Sequence, residues 1–434
     1  MGSFIVVVFG VFLALLASGI WVGVAAALIG MSVLYSAQGW DAMIQATAWV
    51  VWMEANNYTF TILPLFILMG LIMTESGLGK RIYSSIAPLL DHFPGGLHYA
   101  NIIAGMLFAA TSGSAVAATA TIGSVALPEM EKRGYSYADS AGSVAAGAVL
   151  SPLIPPSMLM IFYASLVEVS IGRQFIAGII PGLLLTGLFL LYIILRFSFS
   201  RGWKEIRGEM LTWKASLAKS VEVWPILFLI ALVLGSIFIG IATATEAAGM
   251  GAFGVILLAS FYRNFNWPIL KKAAFVTMRM TCQLMFIYIG CKIMAAAFAR
   301  VGLVTHVTEF FLSLPVSPIM VLIMIWVVFL IMGMLLEAIP MLLMIVPVVF
   351  PTIEALGYDP IWFGIIVVLL CLIGNFTPPV GVSLFAMQSL RPDKPLTELY
   401  RGLVPYGICL FVLLVILTVF PDLTLLLPRI MLGK

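Results

Sequence analysis

Four short polar stretches interrupt an otherwise apolar chain: Ser112-Gly113-Ser114, Ser151-Pro152-Leu153-Ile154-Pro155-Pro156-Ser157, residues 333–337 (Gly333 and Glu337 at its ends) and Gly374-Asn375-Phe376-Thr377-Pro378-Pro379-Val380-Gly381. Paired prolines remove backbone donors and clash with the preceding turn, so each proline stretch must break a helix. Gly374 and Gly381 free the backbone on either side. Carbonyls released there, with the side-chain oxygens of Asn375 and Thr377, could hold a small hard cation such as sodium. The amides that open the following half-helix could hold an anion. Ser112, Gly113 and Ser114 offer hydroxyls and carbonyls of the same kind, facing either Asn375 and Thr377 or Ser151 and Ser157. The competing reading is that these small residues only permit close helix packing. Glu337 either lines the same cavity or holds its turn by bonding free amides.

The elements that position these groups repeat. Pro155 and Pro378 lie 223 residues apart, and so do Pro128 and Pro351, Glu131 and Glu354, Gly134 and Gly357, and Tyr135 and Tyr358. The chain therefore reads as two copies of one unit of about 200 residues, each with an interrupted segment, the best sequence pointer to a transporter's central site. In lipid an interrupted helix survives only where protein buries it or a cavity hydrates it.

Composition sets the class. The chain has 434 residues, 62% hydrophobic and 9% charged, with mean hydropathy +1.15. This predicts an all-α polytopic membrane protein. The net charge of +3 is spread over loops, so the lipid bilayer and not nucleic acid is the partner it implies. No GxxxxGK[ST] loop is present, which excludes ATP hydrolysis by that route. Cys282, Cys291, Cys371 and Cys409 have neither metal nor redox spacing.

The expected plan is a first repeat over 1–200, a connector over 201–222 and a second repeat over 223–434. Residues 4–35 divide near Ser18-Gly19 into two short helices, and 49–74 form a third span. The first unit then has a re-entrant hairpin at about 98–131 and a broken helix at about 137–166. The second has a hairpin at about 318–352 and a broken helix at about 360–390. Trp203, Ile206, Met210, Trp213 and Leu217 recur at helical spacing, so the connector reads as an amphipathic surface helix. Its basic residues Arg201, Lys204, Arg207, Lys214 and Lys219, with Arg196, place it in the cytoplasm. The first hairpin leaves at Lys132-Arg133, whereas the second leaves near Glu354 and Asp359. With an odd number of spans per repeat, this predicts repeats of inverted topology with both termini outside. Glu246 is expected to cap a helix. Lys292 and Arg300 are expected to snorkel.

The tip from Ala110 to Thr119, the runs Ile122-Gly123-Ser124 and Pro128-Glu129-Met130, the motif Thr245-Glu246-Ala247-Ala248 and both proline breaks together resemble the large membrane subunit of TRAP (tripartite ATP-independent periplasmic) transporters. The resemblance covers essentially the whole chain. It implies an elevator-type secondary transporter of the bacterial inner membrane, with sodium as coupling ion and no cofactor. It implies import of an organic acid such as a C4-dicarboxylate or a sialic acid, delivered by a periplasmic binding protein. A small four-helix membrane subunit is also implied; no such segment precedes the first helix here, so it is expected as a separate polypeptide. Carried over by motif, sodium would be held by Ser112, Gly113, Ser114, Gly333, Glu337, Gly374, Asn375, Thr377 and Pro378. Substrate would meet Ser151, Pro155, Pro156, Ser157, Pro379, Val380 and Gly381.

Three other readings compete: a stand-alone sodium/carboxylate symporter, a channel, and an intramembrane enzyme. The last is disfavoured because His92, His98 and His306, the only histidines, all lie outside apolar spans, which leaves Ser112 and Ser114 without a base.

Overall fold

The structure is a computed structural model and describes residues 2–198, 211–377 and 382–431. The expectations for Pro378, Pro379, Val380 and Gly381, and for Arg201, Trp203, Lys204, Ile206, Arg207 and Met210 in the connector, lie outside the described residues. Every regular element among the described residues is a helix, and seven helices are long and apolar enough to cross a membrane.

Turn chemistry sets the boundaries. Gly19, at φ +83°, separates Gly2–Ala17 from Val22–Gln38, because an L side chain resists that backbone region. The single span expected over 49–74 is two helices instead, Trp40–Ala55 and Ile62–Glu75. Asn57 divides them: its side chain accepts from the Thr59 amide at 3.0 Å and starts a short 3-10 turn. A surface helix, Leu78–Leu90, follows. The first hairpin is Leu97–Ser112 and Ala115–Lys132, and the first broken helix is Tyr137–Val149 and Met158–Val167. Ile171–Ser198 completes the first half. In the connector, Trp213–Ser220 runs on through a 3-10 turn into the span that ends at Phe238. Ala244–Phe261, Trp267–Arg300 and Leu303–Ser313 come next. The second hairpin is Pro318–Gly333 and Ala338–Ala355, and the second broken helix is Pro360–Phe376 and Val382–Leu390. Leu396–Val419 and Asp422–Met431 close the chain.

The 223-residue step survives in three dimensions. Ala115–Lys132 maps onto Ala338–Ala355 end for end, and Tyr137 onto Pro360. Gly134 and Gly357 both turn at φ +80°, and the next helices are capped by the side chains of Ser136 and Asp359. Packing is reciprocal. Met158–Val167 lies on Ala338–Ala355, while its counterpart Val382–Leu390 lies on Ala115–Lys132. Val22–Gln38 packs on Trp267–Arg300, while its counterpart Ala244–Phe261 packs on Ile62–Glu75. Exchanged contacts of this kind are what a two-fold relation between two units produces.

Two groups of helices result. A frame is built from the spans within 22–75 and 244–300. A core is built from the hairpins, the broken helices, Ile171–Ser198 and Leu396–Val419. Glycines let backbones touch inside each group: a Cβ at Gly290 would stand 2.1 Å from the Gly23 carbonyl oxygen, and one at Gly402 would stand 1.9 Å from that of Ala138. Without a hydrophobic drive between helices in lipid, such close backbone packing is a main source of association. Gly402→Ala should therefore destabilise the purified protein by about 1–3 kcal/mol through overpacking, whereas Gly407→Ala, which faces open space, should not. Thermal unfolding in one detergent compares the two, and equal shifts would contradict this packing.

Candidate functional site

Each hairpin tip is pressed onto the break of its own half. Gly113 turns the first tip at φ +59°, and a Cβ there would lie 2.8 Å from the Pro156 carbonyl oxygen. Both the turn and the approach require glycine. Ser114 extends from this turn and caps Ala115–Lys132, its hydroxyl accepting from the Ala117 amide at 3.3 Å, and the Ser112 hydroxyl accepts from the Ser114 amide at 3.4 Å. On its other side Ser112 meets the frame, where a Cβ at Gly70 would lie 2.8 Å from the Ser112 Cα. At the second tip, Gly333 and Gly374 pack backbone on backbone, and a Cβ on either would lie 2.7 Å from the other's Cα. The Cys371 thiol donates to the Ala338 carbonyl at 3.8 Å, which ties the second tip to the half-helix beside it.

The breaks use polar side chains sparingly. In the first, the Ile154 amide donates to the Leu150 carbonyl at 2.8 Å, so the chain tightens before Pro155 and Pro156. The Ser157 hydroxyl donates to the Pro152 carbonyl at 2.5 Å and accepts from the Met160 amide at 3.4 Å, closing the break and capping the half-helix together. Ser151 is fully buried and its hydroxyl has no partner. In the second break the Thr377 amide donates to Gly374 at 3.0 Å and its hydroxyl to Ile373 at 2.8 Å. Both threonine lone pairs therefore remain free to accept or to coordinate. Asn375 is part-buried beside them. Glu337 sits at the N-cap of Ala338–Ala355 but makes no cap hydrogen bond. Of its two expected roles, the hold on the tip through free amides is not seen at this cap, and the residue is exposed.

Among the described residues no group of three or more His, Cys, Asp or Glu is placed to hold a metal. A cation at these breaks would rest on neutral hydroxyl and carbonyl oxygens, a donor set that suits sodium. Glu246 forms the expected cap as a full capping box, accepting from the Thr243 amide at 2.8 Å while its own amide donates to Thr243 Oγ1 at 3.3 Å. His98 lies away from the serine tips, 2.9 Å from Ser143.

One polar site escaped the sequence. Lys292 pairs with Glu54 at 3.3 Å in a cavity of about 440 Å³. Tyr288, Ser165 and Glu168 line the same space. Tyr288 is fully buried, with Ser165 and Glu54 as neighbours of its hydroxyl, but it makes no well-formed hydrogen bond. Lys292 and Glu54 belong to the frame, whereas Ser165 and Glu168 end the half-helix that starts at the first break. Ser165 is eight residues, about 12 Å, from Ser157. The available signal was a lysine within an apolar span, but its partner is 238 residues away.

This arrangement of hairpins and broken helices has known relatives. A family profile described as the tripartite ATP-independent periplasmic transporter, DctM component, matches residues 9–423. The chain belongs to the DctM family of TRAP transporters. It is 36% identical over 377 residues to the C4-dicarboxylate TRAP transporter large permease protein DctM of Pseudomonas aeruginosa, covering 86% of this chain and 87% of the relative. It is 32% identical over 424 residues to the 2,3-diketo-L-gulonate TRAP transporter large permease protein YiaN of Escherichia coli, covering 96% and 98%. Among solved structures, the YdaH transporter of Alcanivorax borkumensis shares the fold, with a TM-score of 0.57 and 17% identity over 89% of each chain. The chain is thus a multi-pass membrane component of a transporter and not an enzyme.

The Lys292–Glu54 pair should behave as a coupled unit. Lys292→Gln alone strands a mostly buried carboxylate and should cost about 3–5 kcal/mol. The double change Lys292→Gln with Glu54→Gln should recover most of that loss, as a double-mutant cycle on thermal stability would show. Additive losses would mean that the two side chains act independently.

Proposed function

We propose that this chain is the membrane-embedded transport subunit of a sodium-coupled importer of an organic acid anion in the bacterial inner membrane. The acid is a C4-dicarboxylate, a sialic acid or a similar carboxylate, handed over by a periplasmic binding protein. A small four-helix membrane subunit braces the frame. The observation that carries this reading is the pair of interrupted helices, each covered by a hairpin tip at corresponding places in two related halves. Broken helices of this kind put half-helix amides and free carbonyls near the midplane, where anion and cation are held together.

Sodium is assigned to the oxygens around Ser112, Gly113 and Ser114, and to those around Gly333, Glu337, Gly374, Asn375, Thr377 and Pro378. The substrate carboxylate is assigned to the two breaks and the half-helix openings after them, at Ser151, Pro155, Pro156 and Ser157 and at Pro379, Val380 and Gly381. Inversion of the repeats is supported by the reciprocal packing and by the contrast between Lys132-Arg133 and Glu354 at the two hairpin exits. An elevator motion of the core along the frame would have to move boundary contacts that include Gly70 against Ser112, Phe66 against Phe175 and the cavity shared by Lys292 and Glu168.

The energetics require coupling. An anion entering an inside-negative cell works against the potential, and each co-transported sodium gains about 2.3 kcal/mol per 100 mV. Sodium in excess of substrate charge then drives accumulation, provided that empty-sodium hairpins stay open and block passage. In proteoliposomes with both partners, uptake should vanish when potassium replaces sodium, with any proton gradient left intact. Ser112→Ala and Thr377→Val should each raise the sodium concentration for half-maximal uptake about tenfold, the equivalent of about 1.4 kcal/mol. Unchanged uptake in sodium-free buffer would overturn the coupling. Full uptake without the binding protein would move the chain to the stand-alone symporters.

A further inference from the structure

We propose that the cavity beneath the surface helix Leu78–Leu90 binds the phosphate headgroup of an anionic phospholipid. This inference rests on the cytoplasmic placement of the basic loops and not on the transported substrate.

The cavity has a volume of about 400 Å³. Its walls come from three separate elements: the surface helix, the exit of the first hairpin, and the connector. Tyr83, Asp91, Lys132, Arg133, Leu211 and Lys219 all face it. Arg133 is already committed. It donates to Asp91 at 2.6 Å and to Glu129 at 2.8 Å, so the two carboxylates of the cavity are both taken by one guanidinium. Lys132 and Lys219 are then left with no ion-pair partner among the described residues, and with them the described lining carries three positive charges against two negative ones. Tyr83 supplies the independent observation. Its side chain is 2% exposed, its hydroxyl has no hydrogen-bond partner, and it lines this space. A buried donor without an acceptor is costly. Two lysines and a phenol converging on one opening form a donor set for an oxyanion with several acceptor oxygens.

The position selects a lipid over a soluble ion. Leu97, Val125 and Leu211 make one wall apolar, as the glycerol and first methylenes of a phospholipid require. Trp213 and Leu217, each 53% exposed, lie on the connector next to the cavity. Trp213 also stacks on His92 at 4.1 Å, so this side of the opening is fixed to the end of the surface helix. Exposed tryptophan beside unpaired lysine is the composition of a membrane–water boundary, and basic pockets on the cytoplasmic side attract anionic headgroups. A headgroup seated here would tie the surface helix and the connector to the exit of the first hairpin.

The test titrates the purified complex of this chain and its small subunit, in neutral detergent, and follows thermal unfolding. Phosphatidylglycerol should give a saturable stabilisation that phosphatidylcholine does not. Lys132→Gln and Lys219→Gln should each weaken it about fivefold, matching about 1 kcal/mol per basic residue at a membrane surface. Tyr83→Phe, which keeps the ring and the packing, should weaken it without lowering the stability measured in lipid-free detergent. Equal phosphatidylglycerol responses in wild type and the lysine variants would overturn the site. If inorganic phosphate alone gives the saturable, lysine-dependent shift and phosphatidylglycerol adds nothing, the lipid assignment falls in favour of a soluble phosphate.

Discussion

Unpaired backbone in a low-dielectric layer is the constraint on which this structure depends. Two apolar helices are interrupted, and such an interruption exposes carbonyls and amides that lipid cannot satisfy. The protein answers with a hairpin for each break. Gly113 brings one tip against the Pro156 carbonyl, and Gly333 brings the other against Gly374. Side chains at these contacts would hold the backbones apart, so glycine is there for proximity. What remains unpaired, including the Ser151 hydroxyl and the lone pairs of Thr377, is what an ion can use.

The second feature that follows is the exchange between halves. Each half-helix after a break leaves its own hairpin and lies on the second arm of the other one. A disturbance at one tip therefore reaches the opposite repeat through a half-helix of about 15 Å, as for Met158–Val167. The frame touches this core at Gly70, through aromatic pairs such as Phe60 with Phe162 and Phe66 with Phe175, and over a polar cavity holding Lys292 and Glu54.

Much of this was legible in the sequence, because prolines, glycines and a repeat leave local marks. The hairpins were placed by the small residues at 112–114 and by the apolar arms around them. The 223-residue step was readable because Gly134 and Gly357 must make the same left-handed turn. Other features were not legible, each for a physical reason. The division between Trp40–Ala55 and Ile62–Glu75 depends on one asparagine side chain capping a turn, inside a run that is otherwise apolar enough to continue. Lys292 looked like an interfacial side chain because its partner Glu54 is distant in sequence. Glu337 and Ser114 occupy equivalent positions, but only Ser114 caps its helix. Residue type alone did not separate those roles.

The central claim is that sodium closes the hairpin tips onto the breaks and so permits substrate to cross. Backbone hydrogen exchange, resolved by peptide on the assembled complex in sodium and in potassium, tests it most directly. The account predicts that sodium slows exchange at the tip amides around residues 112–117 and 333–338 and leaves frame segments such as Trp267–Arg300 unchanged. Tips that exchange at the same rate in both salts, or protection spread evenly over frame and core, would contradict it.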